Sequence, residues 1–313
     1  MSAVELEHVT KIFGQHTAVD DLSLTVPLGS IYGFIGPNGS GKTTTLRMIM
    51  RIFHPSHGRI RVLGEETLEA ANDRIGYLPE ERGLYKKMKV REVLRFFAEL
   101  KNGRDIPREI DAWLARMGLA EWAAKPVEAL SKGMAQKVQF IAAVIARPEL
   151  ILLDEPFSGL DPVNAEVLRE AVLGLRRQGA TVIFSTHDMD VAQRMCDRIF
   201  MIHRGRKVLD GTLEEIQDQY GSDVIRLRLE ANGSASQAAL HEQLGRIAGV
   251  ERVTDFGRLQ ELRIARGADA QQVLASLMQM GPVRHFELAR PSLHDIFVRI
   301  ARPEAAEISN DAA

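Results

Sequence analysis

Two groups of residues in this sequence have the types and spacing for chemistry on a phosphate chain. The first is Gly36-Pro37-Asn38-Gly39-Ser40-Gly41-Lys42-Thr43, followed by Thr44, which fits G-x-x-x-x-G-K-[ST]. Its glycines let backbone N–H groups turn inward around phosphate oxygens, and the helix start that follows adds partial positive charge. Lys42 is expected to reach the β- and γ-phosphates, and the Thr43 hydroxyl to serve Mg²⁺. The second group is Ile151-Leu152-Leu153-Asp154-Glu155-Pro156, an apolar strand ending in two acids. The carboxyl end of a strand is where open α/β sheets place their sites. Adjacent strand residues face opposite ways, so the two carboxylates should have different tasks. Asp154 would hold Mg²⁺ through water, and Glu155 would polarise the attacking water as a general base.

These groups need a scaffold, and the hydrophobic pattern supplies one. Val4–His8 and Leu22–Val26 alternate with period two, Ile31–Ile35 is an apolar run leading into the glycines, and Thr43–Arg51 reads as a helix. Arg59–Leu63 and Arg74–Leu78 look like further strands. Between Val90 and Ala146 the pattern turns helical, with Val93, Leu94, Phe97 and Leu100 on one face. Strand character returns at Leu150–Leu153, Thr181–Ser185 and Arg198–Ile202. The sum is a three-layer α/β unit with a helical insertion over about residues 82–145. From about residue 223 the order becomes strand at Val224–Glu230, helix at Ser236–Ile247, strands at Val250–Asp255 and Leu259–Ala265, helix at Asp269–Met280 and strand at Val283–Leu288. That is βαββαβ, a small α+β ferredoxin-like arrangement. Ser292–Ala301 reads as a closing helix capped by Ser292, and residues 303–313 as a small, polar, frayed tail. The expected domains are therefore 1–220 and 223–302.

Composition narrows the function. The chain has 313 residues, 40 Lys+Arg against 42 Asp+Glu, a net charge of −2 and 45% hydrophobic residues. Those are globular proportions, with length for two domains. Near-neutral charge excludes a globally basic nucleic-acid binder but not a local basic patch; no nucleic-acid partner is expected. The one cysteine, Cys196, allows no internal disulfide and points to a reducing compartment. No apolar run approaches the ~20 residues of a membrane span, and Met1–Thr10 lacks the apolar core of a signal peptide. His54, His57 and His203 have no metal-ligand spacing. Lys86-Lys87-Met88-Lys89, with Arg82, forms a basic cluster open to two readings, a solvated face or a contact with anionic headgroups or acidic loops.

Together with three further motifs, these residues resemble the nucleotide-binding subunit of ABC transporters. Leu130-Ser131-Lys132-Gly133-Met134 is similar to the family signature L-S-G-G-Q, Ser158-Gly159-Leu160-Asp161 to its D-loop, and Ser185-Thr186-His187-Asp188 to its switch-histidine segment. The resemblance covers about residues 1–220 and implies a P-loop ATPase fold, with ATP and Mg²⁺ as ligands. It implies a head-to-tail dimer of ATPase subunits in which Ser131 and Gly133 of one subunit meet the γ-phosphate held by the other. His187 would contact the γ-phosphate and position the water or Glu155, and Asp161 would pass information across the dimer. Phe13 matches the position that stacks on adenine, its other reading being a strand-end core aromatic. Glu80-Glu81-Arg82-Gly83-Leu84-Tyr85, the Ser-Lys-Gly-Met signature and Ser292-Leu293-His294-Asp295-Ile296-Phe297 resemble the branch serving ABC-2-type exporters. There the ATPase is a separate chain, held on the inner face of the cell membrane by an integral membrane permease. Two other classes are weighed beside this one: a soluble ABC ATPase acting on a macromolecular complex, and a nucleotide-gated regulatory module.

The sequence departs from the family at three positions. Glu80 stands where the family usually has Gln, adding a carboxylate to the Mg²⁺ and water positions. Lys132 replaces a glycine of the signature, with either a phosphate-facing or a solvent-facing reading, and Met134 replaces its Gln. Dimer contact, regulation and partner docking all stay open for the C-terminal domain. Lys42→Ala should weaken nucleotide binding, measured as a rise in Kd for a fluorescent ATP analogue; an unchanged Kd would remove Lys42 from the site.

Overall fold

The computed structural model describes residues 2–66, 72–81, 83–102, 106–220, 224–229, 237–255, 257, 259–265 and 267–301. Arg82 of the basic cluster and the tail 303–313 lie outside the described residues. The chain divides into two compact units, Met1–Leu213 and Glu214–Ala313.

In the first unit β1 (Ser2–Phe13) and β2 (His16–Pro27) form a hairpin. β3 (Ile31–Ile35) leads into α1 (Lys42–Ile49), and β4 (His57–Val62) pairs with the other edge of β1. Then come β5 (Ile75–Leu78), the insertion helices α2 (Val90–Asn102), α3 (Pro107–Arg116) and α4 (Lys132–Val144), and β6 (Leu150–Asp154). The unit closes with α5 (Pro162–Arg177), β7 (Thr181–Thr186), α6 (Met189–Met195), β8 (Arg198–His203), β9 (Arg206–Gly211) and the start of α7 (Leu213–Tyr220). The main sheet runs β5-β6-β7-β3-β8-β9, with every pair parallel except β8–β9. A smaller antiparallel sheet runs β2-β1-β4.

Strand alternation divides the interior. Leu150, Leu152 and Ile183 pack with Tyr32, Phe34, Leu46 and Ile49 against the small sheet's Val4, Leu6 and Leu22. The intervening Ile151, Leu153, Val182 and Phe184 pack on the other side with Val93, Leu94, Phe140 and Leu168 of the helices. Parallel strands covered on both faces carry near-continuous apolar runs, which is why β3, β6 and β7 read as such. The hairpin extends beyond its readable pattern. His8 and Asp21 both have left-handed backbones, at φ 49°, and the register shifts between Leu6 and Val9. Such bulges break period-two alternation, which ends at His8 although the strand continues to Phe13. β9 carries Arg206, Lys207 and Asp210 and has no apolar repeat to announce it.

The second unit contains β10 (Val224–Leu229), α8 (Gln237–Gly245), β11 (Val250–Asp255), β12 (Gln260–Ile264), α9 (Ala270–Met280), β13 (Val283–Ala289) and α10 (Leu293–Ala301). The antiparallel order β11-β12-β10-β13 is the ferredoxin-like one. One sheet face supplies Ile225, Leu227, Leu262 and Ile264 to a core closed by Leu244 of α8 and by Val273 and Leu277 of α9. Ser292 caps α10, its Oγ accepting from Asp295 N at 3.1 Å.

Gly33 sets how closely β3 approaches the residue after α6, since a Cβ there would lie 2.5 Å from Cys196 Sγ. Gly33→Ala should therefore lower stability by about 1–3 kcal/mol through overpacking. Cys196→Ala in the same chain should recover part of that loss, since the two side chains share one space. Chemical-denaturation midpoints of both variants measure it.

Candidate functional site

The turn between β3 and α1 forms a cradle. Gly41, the residue before α1, has φ +110°, and a Cβ on it would meet Ala18 O at 2.7 Å, so only glycine fits. Lys42 opens the helix with its side chain folded back over the turn. Its Nζ donates to Gly36 O at 2.7 Å and Pro37 O at 3.1 Å, and it is 6% exposed. Ser40 N donates to Pro37 O at 3.2 Å, closing the turn. Burial pulls the Lys42 ammonium below its ordinary proton affinity, while Glu155, Asp154 and Glu80 act against that shift.

Both strand-end acids converge here, by a route alternation did not predict. β6 stops at Asp154, and Glu155 has a left-handed backbone at φ 48°, so the opposite-face rule does not govern the pair. A non-glycine residue holds that conformation at a cost of roughly 1–2 kcal/mol. Glu155 Oε1 lies 3.7 Å from Lys42 Nζ, and His187 Nδ1 lies 3.0 and 3.1 Å from the two Glu155 carboxylate oxygens. Asp154 is fully buried; its Oδ1 accepts from Thr43 Oγ1 at 3.1 Å and Ser185 Oγ at 2.5 Å. Its Oδ2 has no hydrogen-bond partner among the described residues. A buried carboxylate oxygen left open beside a threonine hydroxyl suits Mg²⁺, which keeps waters and phosphate oxygens and takes one or two protein ligands.

A cavity of about 520 Å³ spans this ground. Asn38, Gly39, Ser40, Gly41, Lys42, Thr43 and Thr44 line one side, and Glu80, Glu155 and His187 line another. Phe13 sits at the hairpin end of the cavity, 42% exposed and edge-on to Phe53 at 5.2 Å. It is not a core aromatic. The size and donor set fit a nucleoside triphosphate.

Residues 19–158 match the ABC transporter family, and residues 211–301 match the C-terminal domain of DrrA1-3-like ATP-binding proteins. An uncharacterised ABC transporter ATP-binding protein of Bacillus subtilis (strain 168), YhaQ, is 41% identical over 295 residues, which is 94% of this chain and 96% of the relative. The chain belongs to the ABC transporter ATP-binding proteins. The Nod factor export ATP-binding protein I of Paraburkholderia xenovorans (strain LB400) is 34% identical across 97% of this chain and 98% of its own. The daunorubicin/doxorubicin resistance ATP-binding protein DrrA of Streptomyces peucetius is 30% identical across 99% and 96%. The solved ATP-binding subunit of an ABC transporter superposes with a TM-score of 0.66 at 30% identity, covering 70% of this chain and 94% of that one.

The family's signature segment lies elsewhere on the unit. None of Ser131, Gly133 and Asp161 lines the cavity of the cradle. Ser131 precedes α4 and accepts from Met134 N at 3.3 Å. Asp161 caps α5, accepting from Asn164 N at 3.0 Å and Val163 N at 3.1 Å, and the Asn164 bonds, from its backbone and its side chain, are the main hold on its carboxyl below the usual range. The Lys132 side chain lies over the D-loop glycine, its Nζ and Cε 3.1 Å from where a Gly159 Cβ would stand.

Sequence reasoning missed the residues that fix this geometry. Ser185 joins β7 to β6, accepting from Glu155 N at 3.0 Å while donating to Asp154. Its signal was a buried-strand hydroxyl two residues before the histidine. Lys137 on α4 is buried, and its Nζ donates to Met117 O at 2.7 Å and Asn164 Oδ1 at 2.8 Å. It thereby ties the signature helix to the end of α3 and the start of α5. Lys137→Met should leave two acceptors unpaired and lower stability by about 1–3 kcal/mol, whereas Lys137→Arg, which keeps the donors, should lose less; thermal unfolding of both variants measures the difference.

Proposed function

We propose that this chain hydrolyses ATP and thereby powers export through a separate integral membrane permease. The observation that carries the hydrolytic part is the Glu155 carboxylate, bonded to His187 and facing Lys42 at the rim of the cradle. The exporter part is supported by relatives matched over nearly their whole lengths and named for Nod factor export and for daunorubicin/doxorubicin resistance. No described helix is long and apolar enough to cross a membrane; the span would belong to the permease, which would hold this chain on the cytoplasmic face.

In the proposed reaction Lys42 binds the β- and γ-phosphates, released from its two carbonyl acceptors. Cradle N–H groups take the remaining oxygens, and Phe13 offers its face to adenine. Glu155 accepts a proton from the attacking water as the water oxygen bonds the γ-phosphorus and the bond to the β–γ bridging oxygen breaks, giving ADP and phosphate. His187 orients Glu155 and meets the γ-phosphate. Thr43 and Asp154, with Glu80 beside them, would hold Mg²⁺, which would supply positive charge against the phosphate oxygens. Ser131 and Gly133, remote from their own cradle, suit a head-to-tail dimer in which they close over the other subunit's nucleotide, with Asp161 between the two sites.

Coupling to the permease has a physical route. An apolar groove of about 340 Å³ is lined by Leu84, Phe97, Leu100 and Tyr77. Tyr85 and Phe96 stand exposed in edge contact at 5.5 Å. Gln139 borders the groove and donates to Pro79 O at 3.3 Å and Glu81 O at 3.0 Å. It therefore clamps the segment carrying Glu80, so that movement in the groove reaches the cavity.

Glu155→Gln should retain ATP binding and lower kcat by about 10²–10⁴-fold, the usual weight of a general base. Normal turnover by that variant would overturn the base assignment. Affinity purification from detergent-solubilised membranes should recover a multi-span protein in fixed stoichiometry, and recovery of soluble partners alone would overturn the exporter reading.

A further inference from the structure

The C-terminal sheet has two unlike faces. One packs Ile225, Leu227, Leu262 and Ile264 into the core. By alternation the other face carries Val224 and Arg226 of β10, Arg263 and Glu261 of β12, and Arg252 and Thr254 of β11. α10 borders part of it, and between helix and sheet lies a cavity of about 620 Å³. The lining includes Arg252, Arg263 and Arg299, with His294, Glu261 and Asp295.

The register makes this arrangement costly as it stands. Arg252 and Arg263 are direct cross-strand partners, and like charges placed opposite each other destabilise a sheet. The two acids nearby are engaged elsewhere. Glu261 bonds Arg226 at 2.8 Å, and Asp295 accepts from Ser292 N at 3.0 Å. Among the described residues, neither Arg252 nor Arg263 has an ion pair. We propose that the cavity between α10 and the charged face of the C-terminal sheet binds a phosphate-bearing ligand across Arg252 and Arg263. Two guanidinium forks side by side match the several oxygens of one phosphate, which takes bidentate bonds from each. A dianion offsets both charges, whereas a single carboxylate offsets one. The cavity volume is that of a small-molecule site, and Val224 and Val298 in its wall give the carbon part of the ligand an apolar surface. The phosphate belongs either to a soluble ester or to the headgroup of an anionic phospholipid. This site does not depend on the exporter reading, since every residue in it lies in the second unit.

The test uses the full chain with its nucleotide site saturated by a non-hydrolysable ATP analogue, so that the triphosphate fills the cradle and added phosphate finds no place in it. Inorganic phosphate is titrated calorimetrically, and vesicles of phosphatidylglycerol in phosphatidylcholine are tested by co-sedimentation. Binding of phosphate that weakens about tenfold or more in Arg252→Gln/Arg263→Gln, as expected for lost charge-assisted bonds, supports the site with a soluble ligand. Arginine-dependent binding to the vesicles alone supports it with a lipid headgroup. Arg228→Gln, on an exposed residue of the same sheet outside the cavity, should change neither. Arg252→Gln alone, at an exposed position, carries the comparison if the double variant does not fold. Failure of the unmodified chain to bind either probe, or equal binding with and without the arginines, overturns the proposal.

Discussion

A buried ammonium governs the first unit. Lys42 gives up most of its hydration, and in exchange it has two backbone carbonyls and a carboxylate at 3.7 Å. A charge so placed is tolerated only while those partners stay in position. The tight turn of the cradle, the left-handed backbone at Glu155 and the Ser185 bridge between β6 and β7 all serve that condition. The cradle is in effect a charge stored for an anion, already desolvated and already aimed. Preorganised groups of this kind stabilise developing charge without having to reorient during the reaction, which is why they carry so much of phosphate chemistry.

The main sheet turns this local arrangement into a rigid one. Successive residues of β6 and β7 belong alternately to the two cores, so neither strand can shift by one residue without moving its whole apolar set. Asp154 and His187 sit at or just beyond the ends of these two strands, and Thr43 lies in the helix that follows β3, the neighbour of β7. Their mutual distances are thus inherited from strand register. The insertion helices attach through polar contacts as well, Gln139 to the Glu80 segment and Lys137 to α5. These bonds add direction to a joint that the packing of Val93, Leu94 and Phe140 on the sheet already holds.

What could be read from the sequence follows from how local each signal is. The cradle was legible because its residues are contiguous and each type is demanded by backbone geometry or by charge. The ferredoxin-like order was legible because β12 alternates cleanly, β10 nearly so, and the Ser292 cap is an ordinary one. The orientation of Glu155 was not, because a left-handed φ at a glutamate leaves no trace in periodicity. Ser185 and Lys137 were missed because their partners lie about thirty residues away or less in the chain but on other elements, at distances only the fold supplies. The pairing of Arg252 with Arg263 was invisible for a related reason: both strands were evident, but the bulge between Val250 and Arg252 that sets their register was not.

The exposed ring at the hairpin tip has one more implication. An aromatic face attracts any flat heterocycle and does not distinguish an amino from a keto substituent. If Phe13 is the main contact to the base, the proposed enzyme reads the triphosphate closely and the base hardly at all. Its preference between ATP and GTP would then be set by their relative abundance in the cell rather than by recognition in the site.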